Sequence, residues 1–171
     1  LRSDVLMRNL LNFLDAEVGE GKYVLVMTAD HGVCPLPERS RIEGRKAERI
    51  SPSLLIKATE EHLSETFGAI KGKWIESASG PWIYVSEAAC RARKVEPAKV
   101  HGELAKWLKT RAGVQTAYTR AELASSAATN DTTLTSVRAC FDPDHCGDVF
   151  GVLEPYYLLS NPLSPGTTHG T

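Results

Sequence analysis

The stretch Tyr23-Val24-Leu25-Val26-Met27-Thr28-Ala29-Asp30-His31-Gly32 constrains this chain more than any other. Its first five residues are apolar, with aromatic and β-branched types among them. That is the pattern of a strand buried on both faces, as at the centre of a parallel sheet. Such sheets collect ligands outside the carboxyl ends of their strands, and here that end carries Asp30, His31 and Gly32. A carboxylate oxygen and an imidazole nitrogen are a donor pair that suits zinc. Gly32 lacks a Cβ, so the backbone can turn away sharply and leave both neighbours aimed at one point. The same tripeptide also reads as a turn-capping Asp beside a surface His, because so short a motif arises by chance.

The remaining sequence alternates helical and extended patterns. Ser3 or Asp4 can cap a helix reaching about Val18, with Leu6, Leu10, Leu11, Leu14 and Val18 as its apolar stripe and Gly19 and Gly21 as its stop. Helix, glycine turn and buried strand make one αβ step of a doubly wound sheet. Pro35 and Pro37 then forbid a regular element, and the Arg/Lys-rich stretch 39–49, interleaved with Glu43 and Glu48, reads as a solvated loop. From Ser51 a capped helix with Pro52 at its first position runs to Gly68. Residues 73–77 and 82–86 form a hairpin around Ser79-Gly80-Pro81, and Glu87 to Lys94 a short helix. A helix opened by Pro97 places Val100, Leu104, Trp107 and Leu108 on one face. Residues 114–118 alternate as a half-buried strand, and Thr119 to Glu122 is a capping box. A turn or two of helix over 131–140 precedes the last strand, 148–154, which continues through 156–159 after Pro155. This order makes an α+β sandwich of about four antiparallel strands with helices on one face. His62 and His101 are expected to face solvent, and Asp144-His145, which follows no buried strand, to be a turn.

Composition excludes several classes. With 171 residues, 42% hydrophobic and 24% charged, the chain is globular rather than disordered. Its 20 Lys and Arg against 21 Asp and Glu give no electrostatic case for a nucleic-acid polymer or an anionic membrane as partner. No apolar run approaches the roughly 20 residues that span a bilayer. Cys140 and Cys146 enclose Phe-Asp-Pro-Asp-His, a loop short enough for a disulfide, which would mark an oxidising compartment; four free thiols are the other reading.

Far downstream, Pro165-Gly166-Thr167-Thr168-His169-Gly170-Thr171 reads as a glycine-rich turn bearing one His. The ordered pair, Val-Met-Thr-Ala-Asp-His-Gly and then Gly-Thr-Thr-His-Gly-Thr, resembles the alkaline phosphatase superfamily. The likeness is to its type I phosphodiesterase/nucleotide pyrophosphatase branch and to the related single-chain bacterial alkaline phosphatases. In that family two zinc ions share six protein side chains and the oxygen of a Thr or Ser nucleophile. The resemblance implies that Asp30 and His31 hold the zinc that also binds the nucleophile, and that His169 holds the other. It implies an α/β fold: a helix and central strand from a doubly wound alkaline-phosphatase-like sheet, carrying an inserted α+β crown domain. The expected domains are core over 1–34, linker over 35–50, crown over 51–160, and a return to the core over 161–171.

The family's nucleophile and its Asp-x-x-x-His ligand pair precede the Asp-His-Gly strand, and neither Asp4 nor Asp15 has a His four residues later. The expectation is therefore a C-terminal segment of a larger enzyme with three metal ligands, two zinc ions in the intact protein, and no catalytic nucleophile within this chain. Its substrate would be a small phosphate ester or nucleotide, monoester or diester, and its location periplasmic or secreted. The alternative is a non-catalytic cap of a degenerate homologue. With half a sheet missing, self-association through the open strand edge is expected.

Overall fold

In the computed structural model, which describes residues 2–168, the chain divides into two units, residues 1–32 and residues 33–171. The first begins with helix α1 (Arg2–Leu14), in which Asp4 and Arg8 pair at 3.4 Å, and continues through one wider turn, Asp15–Gly19. Gly19 and Gly21 end it with φ of 106° and 71°, a region that glycine enters without strain. The Tyr23 hydroxyl then donates to the Asp15 carboxylate at 2.8 Å and ties the following segment to the helix end.

That segment corrects one sequence expectation. Residues 23–29 are extended but form no strand, and Val24, Val26 and Met27 are 90%, 82% and 77% exposed. A strand exists through ladder bonds to a neighbour, and a run apolar on both faces needs a layer on each. Among the described residues no strand pairs with it. On α1, Leu6, Leu10 and Phe13 are exposed as well, while Leu11 and Leu14 are half-buried.

The second unit encloses its own core. The expected loop is here partly regular: Pro37 opens helix α2 (Pro37–Ile42), burying Pro37 and Ser40, and strand β1 (Arg49–Ile50) follows. Helix α3 (Pro52–Phe67) stops at Gly68, φ 95°, as read; Ser51 lacks the expected side-chain cap and its hydroxyl meets Ser53 Oγ instead. Strands β2 (Ile75–Ser79) and β3 (Trp82–Val85) are joined by Gly80-Pro81, with Ser79 opposite Trp82. Gly80 takes the positive φ, 54°, that tight hairpin turns demand.

Helix α4 (Glu87–Arg93), α5 (Pro97–Leu108), strand β4 (Val114–Thr119), α6 (Arg120–Ala124), α7 (Thr132–Ala139) and strand β5 (Val149–Leu153) complete the unit's main body. The sheet is antiparallel with order β2-β3-β5-β4. Helices α3 and α5 pack on it, α5 through Val100, Leu104 and Leu108, which the i, i+4, i+8 spacing stacks on one face. Against them lie Trp74, Ile75, Ile83, Val149 and Leu153, all buried.

Two further expectations are corrected. Strand β6 (Leu158–Leu159) does not prolong β5; Tyr156 at φ 71° turns the chain, and β6 pairs in parallel with β1. Cys140 and Cys146 are both free: Cys146 Sγ lies against the Cys140 carbonyl oxygen at 3.9 Å and accepts the Asp142 N–H at 3.3 Å. The loop is closed by the Cys146 N–H donating to the Asp142 carbonyl rather than by sulfur. Among the described residues no helix is long and apolar enough to cross a membrane.

Candidate metal-ligand motifs

Asp30 and His31 follow the extended segment. One Asp30 oxygen accepts the His31 backbone N–H at 3.1 Å, while the other, Oδ2, lies 3.4 Å from His31 Nε2. His31 Nδ1 is 2.7 Å from the Gly32 carbonyl oxygen. A carbonyl can only accept, so Nδ1 carries a proton in that contact, and Nε2 is the ring nitrogen beside the Asp30 carboxylate. Metal-binding histidines commonly hold one ring nitrogen on a carbonyl in this way, which fixes the tautomer. Two donors at about 2.0–2.1 Å from a tetrahedral zinc stand roughly 3.3 Å apart, close to the 3.4 Å found here. The pair therefore fits zinc in donor type and spacing. Asp30 and His31 side chains are 87% and 49% exposed, so ligand access is open.

The second motif falls in the other unit. His169 lies outside the described residues, but the loop leading to it is held at several points. The Cys34 N–H donates to the Thr168 carbonyl at 2.9 Å, and the Thr167 hydroxyl donates to the Cys34 carbonyl at 2.6 Å. Arg49 grips the same loop from the other side, donating from Nη2 to the Gly166 carbonyl at 2.7 Å and from Nη1 to Ser160 Oγ at 3.0 Å. Glu38 holds the guanidinium at two points, 2.6 and 3.0 Å. In return that contact draws the Glu38 carboxyl down to about 2. Among the described residues no group of three or more His, Cys, Asp and Glu side chains is assembled as a metal site.

Other polar residues are occupied structurally. His101, expected in solvent, is 14% exposed on α5, with Nε2 3.7 Å from Asp148 Oδ1. Burial holds its pKa below the usual value, with Asp148 opposing and Arg120 reinforcing the shift. Asp148 also accepts the Val85 N–H at 2.8 Å and pairs with Arg120 Nε at 3.4 Å, and Arg120 donates onward to the Pro143 and Cys146 carbonyls. These groups line an open cleft of about 700 Å³, yet their charges are spent on one another. His62 stacks on Trp107 at 5.1 Å and meets Glu103 at 3.0 Å. His145 pairs with Asp142 within a turn, as expected. Sequence reasoning missed the Arg49 and Asp148 hubs, because both are defined by partners far away in the chain.

No protein-family model matches the chain. It is 34% identical over 162 residues to alkaline phosphatase PhoK of a Sphingomonas species, an alignment covering 87% of this chain and 28% of that protein. It is 28% identical over 162 residues to alkaline phosphatase PhoD of Zymomonas mobilis, covering 87% and 27%. Its fold matches a crystal structure of alkaline phosphatase PafA with a TM-score of 0.74 and 22% identity, over 94% of this chain and 30% of that one. The chain thus spans less than a third of the length of the curated relatives it matches. An identity of this level along most of the chain, with the same fold, leads to one assignment: the chain belongs to the alkaline phosphatase superfamily.

Proposed function

We propose that this chain is part of a zinc-dependent phosphoric ester hydrolase, in which Asp30 and His31 hold one metal ion and His169 helps to hold a second. The nucleophile, a Thr or Ser that carries the phosphoryl group between two displacement steps, belongs to a part of the parent enzyme outside these residues. The observation that carries the reading is the Asp30–His31 pair, whose Oδ2 and Nε2 lie 3.4 Å apart while Nδ1 rests on the Gly32 carbonyl.

Bound zinc supplies Lewis acidity toward phosphoryl oxygens and lowers the pKa of a coordinated hydroxyl or water. The chain's own residues orient and select. Gly32 holds the His31 ring through Nδ1 and leaves Nε2 as the nitrogen that would face the metal. Asp30 contributes negative charge beside it, which favours a divalent cation over a proton as pH rises. In this reading residues 1–34 and 161–171 belong to the catalytic core and residues 51–160 form the crown. The substrate is a small phosphate ester or nucleotide, and the enzyme is periplasmic or secreted. The exposed residues 23–29 would lie in the parent's sheet, and in the chain alone they favour self-association.

The test is hydrolysis of an aryl phosphate and an aryl phosphodiester by the longer protein that contains this chain, stripped of metal and then given zinc. Zinc-restored turnover that Asp30→Ala lowers by at least about 100-fold is expected, and the preferred ester sets the substrate class. Near-normal hydrolysis by that variant would remove Asp30 from the site.

A further inference from the structure

We propose that the cleft between Arg45-Lys46 and the turn Glu154–Tyr157 binds a planar aromatic ring that carries a phosphate, the chemistry of a nucleoside monophosphate, by means that need no zinc. The cleft measures about 480 Å³ and is built from the second unit alone. Its volume falls within the roughly 300–1,000 Å³ of small-ligand pockets.

The turn is the first sign. The Tyr157 N–H donates to the Glu154 carbonyl at 3.1 Å, Pro155 takes the second position, and Tyr156 takes the third at φ 71°. Proline followed by a positive φ is a type II turn, whose third position calls for glycine or asparagine. Lys94, the other non-glycine residue with positive φ among those described, merely ends helix α4, whereas Tyr156 has no helix to end. A tyrosine held in this strained conformation points to a use for its side chain. Its ring is braced by Arg45, whose guanidinium carbon lies 5.2 Å from the ring centroid. Tyr157 lies so close over Gly113 that a Cβ there would collide with its ring, and the Glu154 N–H donates to the Gly113 carbonyl at 2.9 Å. Two half-buried tyrosines are thus fixed at one cleft, and rigid aromatic faces are what flat rings stack on.

Charge sets the rest of the ligand. The Glu43 carboxylate is shared by Arg39 and Arg45, so one anion meets two cations. Lys46, next in the chain, is exposed and has no ion pair among the described residues. This positive surplus suits a phosphate. Glu154, also exposed at the cleft, repels a bare anion but accepts from hydroxyl or amine donors. An aromatic ring, a middle that bears donors and a phosphate at one end satisfy all three demands.

The test is equilibrium dialysis of this chain, with a zinc chelator present throughout, against adenosine 5′-monophosphate, adenosine and inorganic phosphate. The nucleotide is expected to bind saturably, adenosine about 3-fold more weakly, and phosphate alone without saturation. Tyr156→Gly deletes the ring while giving the turn the residue its backbone prefers, and should weaken both nucleotide and nucleoside roughly 10-fold. Lys46→Gln should weaken the nucleotide about 3-fold and leave adenosine unchanged. Lys71→Gln, at an exposed lysine that does not line the cleft, should match the parent. Absence of saturable nucleotide binding overturns the proposal, and so does binding that Tyr156→Gly leaves unchanged. Phosphate that binds as well as the nucleotide overturns it too, because the tyrosines would then select nothing. If Tyr156→Gly does not fold, Lys46→Gln decides: selective loss of nucleotide affinity supports the site, and parental affinity overturns it. None of these outcomes touches the zinc reading, because the chelator keeps metal out of every arm.

Discussion

The two units of this chain obey the same physics with opposite outcomes. Among the described residues from 33 onward the main apolar faces found partners: α5 lies on β3, β4 and β5, and Leu63, Trp74, Val100, Leu104 and Val149 are fully buried. In residues 1–32 the strongest apolar run of all, residues 23–27, is extended with Val24 at 90% exposure, and Leu6 and Leu10 of α1 are exposed as well. An apolar pattern states what a segment needs, and only neighbouring layers decide whether it gets it.

The sharpest way to break that comparison is a pair of truncations read by urea unfolding. Leu104→Ala should cost this chain about 2–5 kcal/mol, a lost buried side chain plus the cavity left behind. Val26→Ala should fall within about 0.5 kcal/mol of zero, as exposed substitutions do. In the longer protein the second value should rise to about 1.5 kcal/mol, because the same methyl groups would there be buried. A large cost of Val26→Ala in this chain would show that residues 23–27 already pack within it, and the contrast between the units would collapse.

A second, smaller effect concerns how the second unit closes its polar groups. The Glu60 carboxylate accepts the N–H groups of Trp74 and Ile75, both at 2.8 Å, where the chain enters β2. Glu60→Ala leaves two backbone donors without partners beside the buried Trp74 ring, and should cost about 2–3 kcal/mol. Equal stability would mean that water reaches those groups, and that the unit is less closed than its core suggests.

These two residues also mark what the sequence can and cannot reveal. The capping box at Thr119 and Glu122, the Gly68 stop, the Gly80-Pro81 turn and the α5 stripe were legible because their partners lie within a few positions. Glu60 reaches 14 and 15 residues along the chain, and Arg49 reaches 111 and 117. No periodicity encodes such contacts, so Arg49 looked like one more charge in a polar loop and His101 like a surface residue. Of the candidate site, Asp30 and His31 were legible as adjacent donors before a glycine. The contact of the His31 ring with the Gly32 carbonyl was not.

A third prediction uses the best-read local device. The Thr119 hydroxyl accepts the Glu122 N–H, and the Glu122 carboxylate accepts the Thr119 N–H at 2.8 Å. Thr119→Ala should cost about 1 kcal/mol. The Arg120 guanidinium, which begins α6, should then loosen its hold on the Pro143 and Cys146 carbonyls. A cost near zero would show that those long-range contacts, and not the box, hold the helix start.

The smallest effect is conditional on pH and distinguishes the interior of the second unit from its surface. Burial depresses the folded-state pKa of His101 below its ordinary 6.5; Arg120 adds to this and Asp148, 3.7 Å away, opposes it. The folded state thus binds the proton less readily than the unfolded chain does. By linkage, the stability that neutral His101 contributes is fully present above pH 6.5 and is lost as pH falls from there through the folded-state pKa. Urea midpoints taken from pH 8 down to pH 5 should therefore decline for the parent chain, and His101→Gln should remove that part of the decline. The two profiles are compared after matching at pH 8, so that any packing cost of the glutamine cancels. Parallel profiles would mean that the Asp148 carboxylate offsets burial completely and that His101 titrates as freely as a histidine in solvent.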